Sequence, residues 1–421
     1  MNYKNVKIKE GISMHIINTD KFKTNLMAVF LTTKLTRENV TKNALIPMVL
    51  RQGSVGMRTQ EEISKQMEEL YGTIFDSGLD KTGDNQVIKL YMETINDKYI
   101  PKPSNKMIQT LVEKLLEISF KPYVEDGGFS EKYVEQEKNT LRKIIESKID
   151  NKARYAQEKC IEEMYKNEPF GLYKFGYVED LDKINAKNLY EYYKELLNTC
   201  KIDIFLSGDV DENAESIISN NGNIVKLQSR EPNYNVPIIV KKNTEEKIVT
   251  ESMDISQGKL VLGLDIDINN NDEKYEVLMF NTMLGGSANS KLFQNVREKA
   301  HLAYVASSNY YRFKNNIIIN CGIEIANFEK TLKIVKQQLE DFKNGKFSEE
   351  DLQDCKKIVE ETVNAIEDEQ DTGITYWFSQ ELADTHVGLK EYIEKVNKIN
   401  KNDIIKIAKK VKVNTIYFLK N

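Results

Sequence analysis

Only three histidines (His15, His301 and His386) and four cysteines (Cys160, Cys200, Cys321 and Cys355) occur in 421 residues. With so few, histidine-based metal or triad chemistry within one chain is already short of parts. The cysteines are far apart and form no C-x-x-C, which excludes a disulfide framework and a thiolate zinc site and leaves buried free thiols as the expectation. No segment approaches the roughly 18 uninterrupted apolar residues of a membrane span, and the opening MNYKNVKIKEG holds no apolar stretch of a signal peptide. A cytoplasmic chain with no membrane contact is therefore expected. Neither sign of charge dominates: 60 Lys+Arg against 65 Asp+Glu give a net −5, with both signs interleaved along most helices. No basic field for nucleic acid results. Also missing are G-x-x-x-x-G-K-[ST], G-x-G-x-x-G and G-x-S-x-G, the signatures of phosphate loops, dinucleotide folds and serine hydrolase elbows.

What is present is a length suited to two cores and a composition, 40% hydrophobic and 30% charged, suited to a soluble globular protein. All seven prolines precede residue 238, and 211–257 mixes Asn, Pro, Ser and charge with little periodicity, which reads as a domain end plus a linker. The expected division is an α+β domain over 1–220, a linker over 221–257 and a second α+β domain over 258–421. The halves share an order of elements. In the first, NLMAVFLTT is a strand, NALIPMVLRQGS and QEEISKQMEELYG are helices, TIFDSGLD and QVIKLYMETI are paired strands, helices follow near 104–119, 130–166 and 185–198, and KIDIFLSGDV closes as a strand. In the second, GKLVLGLDI is a strand, DEKYEVLMFNTMLGG and ANSKLFQNVREKA are helices, LAYVASSNYYRF and NNIIINCGIEI are paired strands, helices fill 327–412, and VNTIYFLK is the final strand. The layout implies two similar domains, each a mainly antiparallel sheet with helices packed on one face.

Three local patterns carry little chemistry. Ser256-Gln257-Gly258-Lys259 matches S-x-x-K without its companion motifs. Asp265, Asp267, Asn269 and Glu276 fall at positions 1, 3, 5 and 12 of a calcium loop, but Asn270 stands where the sharp turn needs Gly and a strand precedes it; a solvated strand-to-helix loop is expected. Glu61, Glu62, Glu68 and Glu69 lie on the polar side of an amphipathic helix with nothing to raise their pKa, and read as solvated.

The stretch LGGSANSKLFQNVREKAHLAYVASSNYY resembles the insulinase/pitrilysin family of zinc metallopeptidases, and the duplicated layout fits the same family over nearly the whole chain. That family carries an arginine and a tyrosine in a phrase similar to V-R-E-K-x-x-L-A-Y, matched here by Arg297 and Tyr304. A guanidinium can fork to a peptide carbonyl or carboxylate, and a phenol can donate to a developing oxyanion. The same residues also read as a cation at a helix C-terminus and an aromatic packed on the core. Gly285 and Gly286, just before, allow either a close backbone approach or a plain helix cap.

The family's zinc site is an inverted H-x-x-E-H on a helix of the first domain, with downstream paired glutamates. Laid over NALIPMVLRQGS, that motif puts Ala44, Pro47 and Met48 where histidine, glutamate and histidine belong. At the downstream glutamates stand Lys143 and Ile144, with Glu146 the nearest carboxylate. The metal ligands are lost and the Arg/Tyr phrase is kept. The combination resembles the non-zinc subunit of bacterial heterodimeric peptidases of the family and, more narrowly, a Firmicutes subgroup of inactive subunits encoded beside an active homologue. The resemblance implies a catalytically incomplete subunit, without metal of its own. It would bind peptide substrate and supply Arg297 and Tyr304 to a homologous subunit that carries H-x-x-E-H and zinc. The alternatives are a structural or assembly subunit, or a homodimeric peptide-binding protein, with no part in proteolysis. A stand-alone metallopeptidase would need a zinc shell built from carboxylates.

Overall fold

The structure, a computed structural model, describes residues 2–101, 106–237 and 245–421. It divides into two units: Met1–Ser147, Leu172–Val236 and Ile366–Leu382 in the first, and Lys148–Gly171, Pro237–Ala365 and Ala383–Asn421 in the second.

The first unit is built on a six-stranded sheet in the order Asn2–Lys9, Ile12–Asn18, Lys201–Gly208, Thr24–Lys34, Asn85–Ile95, Ile74–Thr82. Every pairing is antiparallel except Ile12–Asn18 with Lys201–Gly208. The second unit holds a five-stranded sheet, Ala303–Tyr311, Asn316–Ile323, Gly258–Ile266, Val411–Lys420, Lys247–Ser252, antiparallel but for its last pair. The expected α+β class with mainly antiparallel sheets is thus the observed one.

Central strands show why the cores form where they do. Thr24–Lys34 is buried at every position but its ends. Alternate residues of Thr24–Lys34, Met27, Val29 and Leu31, enter the main core with helices Val40–Leu50 and Met107–Phe120. Phe30, of the opposite parity, stacks on Phe378 of helix Gln370–Leu382, and Phe205 of the neighbouring strand meets both rings edge-on. A near-continuous apolar strand is the pattern of a sheet covered on both faces. To the expected helical layer the structure therefore adds one helix on the second face, drawn from the other half of the sequence. The second unit does the same: Val261, Ile318, Tyr417 and Leu419 form a separate cluster with Ala156, Cys160, Ile161 and Met164 of helix Lys152–Met164.

The single helix expected over 130–166 is corrected to two, Glu131–Glu146 and Lys152–Met164, which lie in different units. Asn151 causes the restart, since its side chain accepts from Arg154 N and caps the second helix. Ala303–Tyr311 has the expected strand character, but ANSKLFQNVREKA winds as a π-helix over Phe293–Lys299. Within the stretch expected as a linker, Lys247–Ser252 is a strand, while 238–244 lies outside the described residues, as does 104–105 of the helix expected near 104–119. All four cysteines are free and buried. Burial pushes the thiols of Cys160, Cys200 and Cys321 up to about 12 and that of Cys355 to about 11.

Candidate functional site

Helix Val40–Leu50 is apolar nearly all round, and nine of its eleven residues are buried. A polar net pins it within the first unit. Asn43 donates to Gln86 Oε1 at 2.9 Å and accepts from Tyr192 OH at 2.8 Å, while Gln86 Nε2 donates to Val40 O at 3.0 Å. Each of these buried amides is thereby satisfied. Pro47 sits inside the helix and brings no N–H; its carbonyl is met by Ser77 Oγ at 3.0 Å.

Ala44, Pro47 and Met48 face one cavity of about 660 Å³, whose opposite wall is helix Glu131–Glu146 with Glu137 and Ile144. Lys143 and Glu146 do not line it and are exposed. The structure therefore brings together the three positions expected to be a degenerate zinc motif and Ile144, one of the two positions expected at the downstream glutamates. The chemistry of this wall does not fit zinc, because alanine, proline and isoleucine offer no donor and methionine only a thioether. Among the described residues no group of three or more His, Cys, Asp or Glu is placed to hold a metal ion.

The histidines are elsewhere. His15 is fully buried in the first unit, with Nε2 3.0 Å from Asp203 Oδ1 and Nδ1 2.9 Å from Tyr3 OH, and its ring stacks on Phe205 at 4.2 Å. Burial alone would raise the Asp203 carboxyl. The Lys201 ammonium and the His15 hydrogen bond outweigh burial and hold it below the usual carboxylate range. His301 and His386 are exposed.

Arg297 and Tyr304 belong to the second unit, and the structure brings them together. Arg297 lies in the last turn of Phe293–Lys299, where His301 N and Leu302 N bond back to Arg297 O and Val296 O, with His301 in the left-handed region at φ 53°. Its guanidinium carbon stands 4.6 Å from the Phe293 ring centre and 5.8 Å from that of Tyr304, with Nε 3.4 Å from Glu298. The core-packed reading of Tyr304 is corrected, since the ring is 78% exposed. The reason is local: the pairing register shifts between Ala303 and Val305, so Tyr304 falls at a bulge on the edge strand. Gly285 serves the fold, since a side chain there would meet the backbone nitrogen of Ser308 at 2.7 Å.

The other patterns are structural. Asp265 accepts from Asn414 Nδ2 at 2.7 Å and Asp267 pairs with Lys412 at 2.9 Å, so the first two carboxylates of the calcium-like loop are spent on protein partners. Lys259 bonds Gln257 at 2.5 Å. Glu61, Glu62, Glu68 and Glu69 are exposed. Sequence reading missed Glu137, which is 6% exposed; its signal was its place two helical turns before Ile144, on the same face.

The family described as "Peptidase M16 inactive domain" matches residues 183–359. A Bacillus subtilis (strain 168) protein named "Probable inactive metalloprotease YmfF" is 35% identical, over 100% of this chain and 99% of its own length. A conserved protein from Enterococcus faecalis V583 superposes with a TM-score of 0.89 at 28% identity, covering 100% of this chain and 99% of that one. The peptidase M16 inactive domain from Pseudomonas fluorescens does so with a TM-score of 0.80 at 18% identity, over 100% and 98%, a likeness of fold.

Proposed function

The chain belongs to the M16 (insulinase/pitrilysin) peptidase family as one of its inactive, metalloprotease-like members, and from that premise we propose that it is the non-catalytic subunit of a two-chain peptidase. In this reading it binds extended peptide and presents Arg297 and Tyr304 to a homologous partner that carries H-x-x-E-H and zinc. The observation that carries the proposal is the contrast between two places. The cavity wall at Ala44, Pro47, Met48 and Ile144 has no metal donor set, whereas Arg297 and Tyr304 stand side by side with the phenol in solvent. A fold needs neither an exposed tyrosine on an edge-strand bulge nor a half-exposed arginine beside it. Both groups suit a substrate: the guanidinium for a carbonyl or carboxylate, the phenol for a developing oxyanion.

Mixing the purified chain with a homologue bearing H-x-x-E-H and following cleavage of a quenched fluorescent peptide tests this. Arg297→Ala and Tyr304→Phe are each expected to lower turnover by the mixture on the order of 10²-fold, with no loss of complex formation by size-exclusion chromatography. Unchanged cleavage with both variants would show a structural or assembly subunit instead. Tight peptide binding by the chain alone, with no effect of the homologue, would show a homodimeric or independent peptide binder.

A further inference from the structure

The cavity that lacks metal ligands is not featureless. Glu137 is its one deeply buried ionisable group, and its two hydrogen bonds both fall on a single oxygen: Oε1 accepts from Gln52 Nε2 at 2.7 Å and from Gln136 Nε2 at 3.2 Å. Among the described residues Oε2 has no hydrogen-bond partner. The other charged lining residue, Arg51, is matched by Asp76, with Nη1 3.5 Å from Oδ1. Glu137 makes no ion pair among the described residues, and burial pushes its carboxyl above the usual carboxylate range against the hydrogen bonds from Gln136 and Gln52 and the attraction of Arg51. Oε2 is open to the cavity and is not one of the enclosed, unpartnered side-chain atoms of the described residues, so a donor entering from outside can reach it.

The surroundings narrow the donor. Ala44, Pro47, Met48 and Ile144 form an apolar wall beside Glu137. Gln60, Gln136 and Thr140 are exposed lining residues, so the cavity opens to solvent. Ser77 and Gly78 at its rim belong to Ile74–Thr82, the terminal strand of the sheet. A terminal strand can take an extended peptide, whose alternate side chains then point to one side.

We propose that this cavity is a pocket for a lysine side chain of a bound peptide, its methylene stem lying along Pro47, Met48 and Ile144 and its ammonium on Glu137 Oε2. The proposal rests on the peptide-binding reading above. Lysine fits better than arginine because one available oxygen matches a compact point charge, whereas a guanidinium fork needs two parallel acceptors. Binding of the cation offsets the cost of the buried carboxylate, so the preference belongs to Glu137 and not to the wall.

Calorimetric titration of the full chain tests it with capped heptapeptides of alternating valine and serine that differ only at a central lysine, norleucine or glutamate. Free n-pentylamine, followed by NMR, provides a peptide-independent arm. The lysine peptide is expected to bind at least tenfold more tightly than the norleucine peptide, and Glu137→Gln to abolish that difference by weakening lysine-peptide binding at least tenfold. Equal binding of lysine and norleucine peptides by the unsubstituted chain overturns the proposal and leaves peptide binding standing. If no heptapeptide binds but pentylamine does, in a manner lost in Glu137→Gln, the pocket stands as an amine site and the peptide reading falls. Pentylamine shifts that persist in Glu137→Gln, or no binding by any probe, overturn the pocket.

Discussion

Tyr3 and Glu381 are hydrogen-bonded to one another although 378 positions separate them in sequence. Glu381 lies in the last turn of the helix Gln370–Leu382 that covers the second face of the first sheet, and its other oxygen accepts from Asn5 Nδ2 at 2.8 Å. Four residues earlier, Trp377 stacks flat on the Tyr3 ring at 3.9 Å. The edge strand Asn2–Lys9 is thus fastened to a helix from the far end of the chain by one aromatic stack and two hydrogen bonds to one carboxylate.

The fastening is expected to register in stability. Tyr3→Phe keeps the stack and removes the hydroxyl, and Glu381→Gln removes the charge; each should cost about 1–3 kcal/mol. Because the residues share one bond, the double variant should cost less than the sum, with a coupling of roughly 1 kcal/mol. Urea unfolding of the four proteins measures this, and strict additivity would show that the bond contributes nothing to the native state.

Gly263 marks the corresponding contact in the second unit. It lies on the strand Gly258–Ile266 under helix Lys152–Met164, and a Cβ there would come within 2.6 Å of Met164 Sδ and 3.6 Å of Cys160 Sγ. A thioether can turn aside for one methyl group, so Gly263→Ala should cost under about 1 kcal/mol, whereas the branched Gly263→Val should cost about 1–3 kcal/mol by overpacking. Thermal unfolding should rank the three proteins in that order. A valine variant as stable as the original would mean that the helix does not rest on this strand.

Asp203 gives a dependence on pH whose sign follows from its neighbours. Lys201 Nζ reaches its two oxygens at 2.5 and 2.6 Å, and the carboxyl is held below the usual range. A native pKa below the unfolded value of about 3.9 means stability that is full above that pH and lost as pH falls through the native value. Lys201→Met leaves the buried carboxylate short of its main partner, which should cost on the order of 3 kcal/mol at pH 7. The gap should narrow below about pH 4, where protonation removes the charge in both proteins. A gap independent of pH would assign the loss to packing of the lysine stem.

Why some of this was legible and some was not comes down to the range of the interactions. NLMAVFLTT and KLVLGLDI announce strands, but the expectation of helices on one face passed over their lack of alternation, the mark of a strand covered on both faces. They do not announce what covers the second face, since Phe378 meets Phe30 and Cys160 approaches Gly263 only through contacts distant in sequence. KARYAQEKCIEEM and QDTGITYWFSQEL are ordinary amphipathic or mixed helices by composition, and nothing local ties either to a sheet in the other half. At the cavity, Ala44, Pro47 and Met48 were found only by laying a family pattern on the helix. Glu137 escaped because a buried carboxyl and an exposed one look alike in a string of letters. Tyr304 was ambiguous for a similar reason, as the bulge that turns it outward depends on pairing with Asn316–Ile323.

If Ala44, Pro47, Met48 and Ile144 truly occupy the places of a lost metal site, restoring donors there should restore metal. Two histidines four residues apart on Val40–Leu50 present their rings on one face, and a carboxylate at 144 approaches from the opposite wall of the same cavity. Replacing Pro47 also returns a backbone N–H to the helix interior. The combined variant Ala44→His, Pro47→Glu, Met48→His, Ile144→Glu is expected to bind one zinc ion per chain, removable by chelator, and to gain thermal stability on zinc addition; the unsubstituted chain should retain no stoichiometric zinc by elemental analysis. Reverting position 144 alone to isoleucine should weaken binding at least tenfold, about 1.4 kcal/mol, because a three-ligand shell loses its carboxylate. Zinc binding by the variant no stronger than by the original chain would mean that the four positions do not converge on one ion, and that the register joining this helix to H-x-x-E-H is wrong.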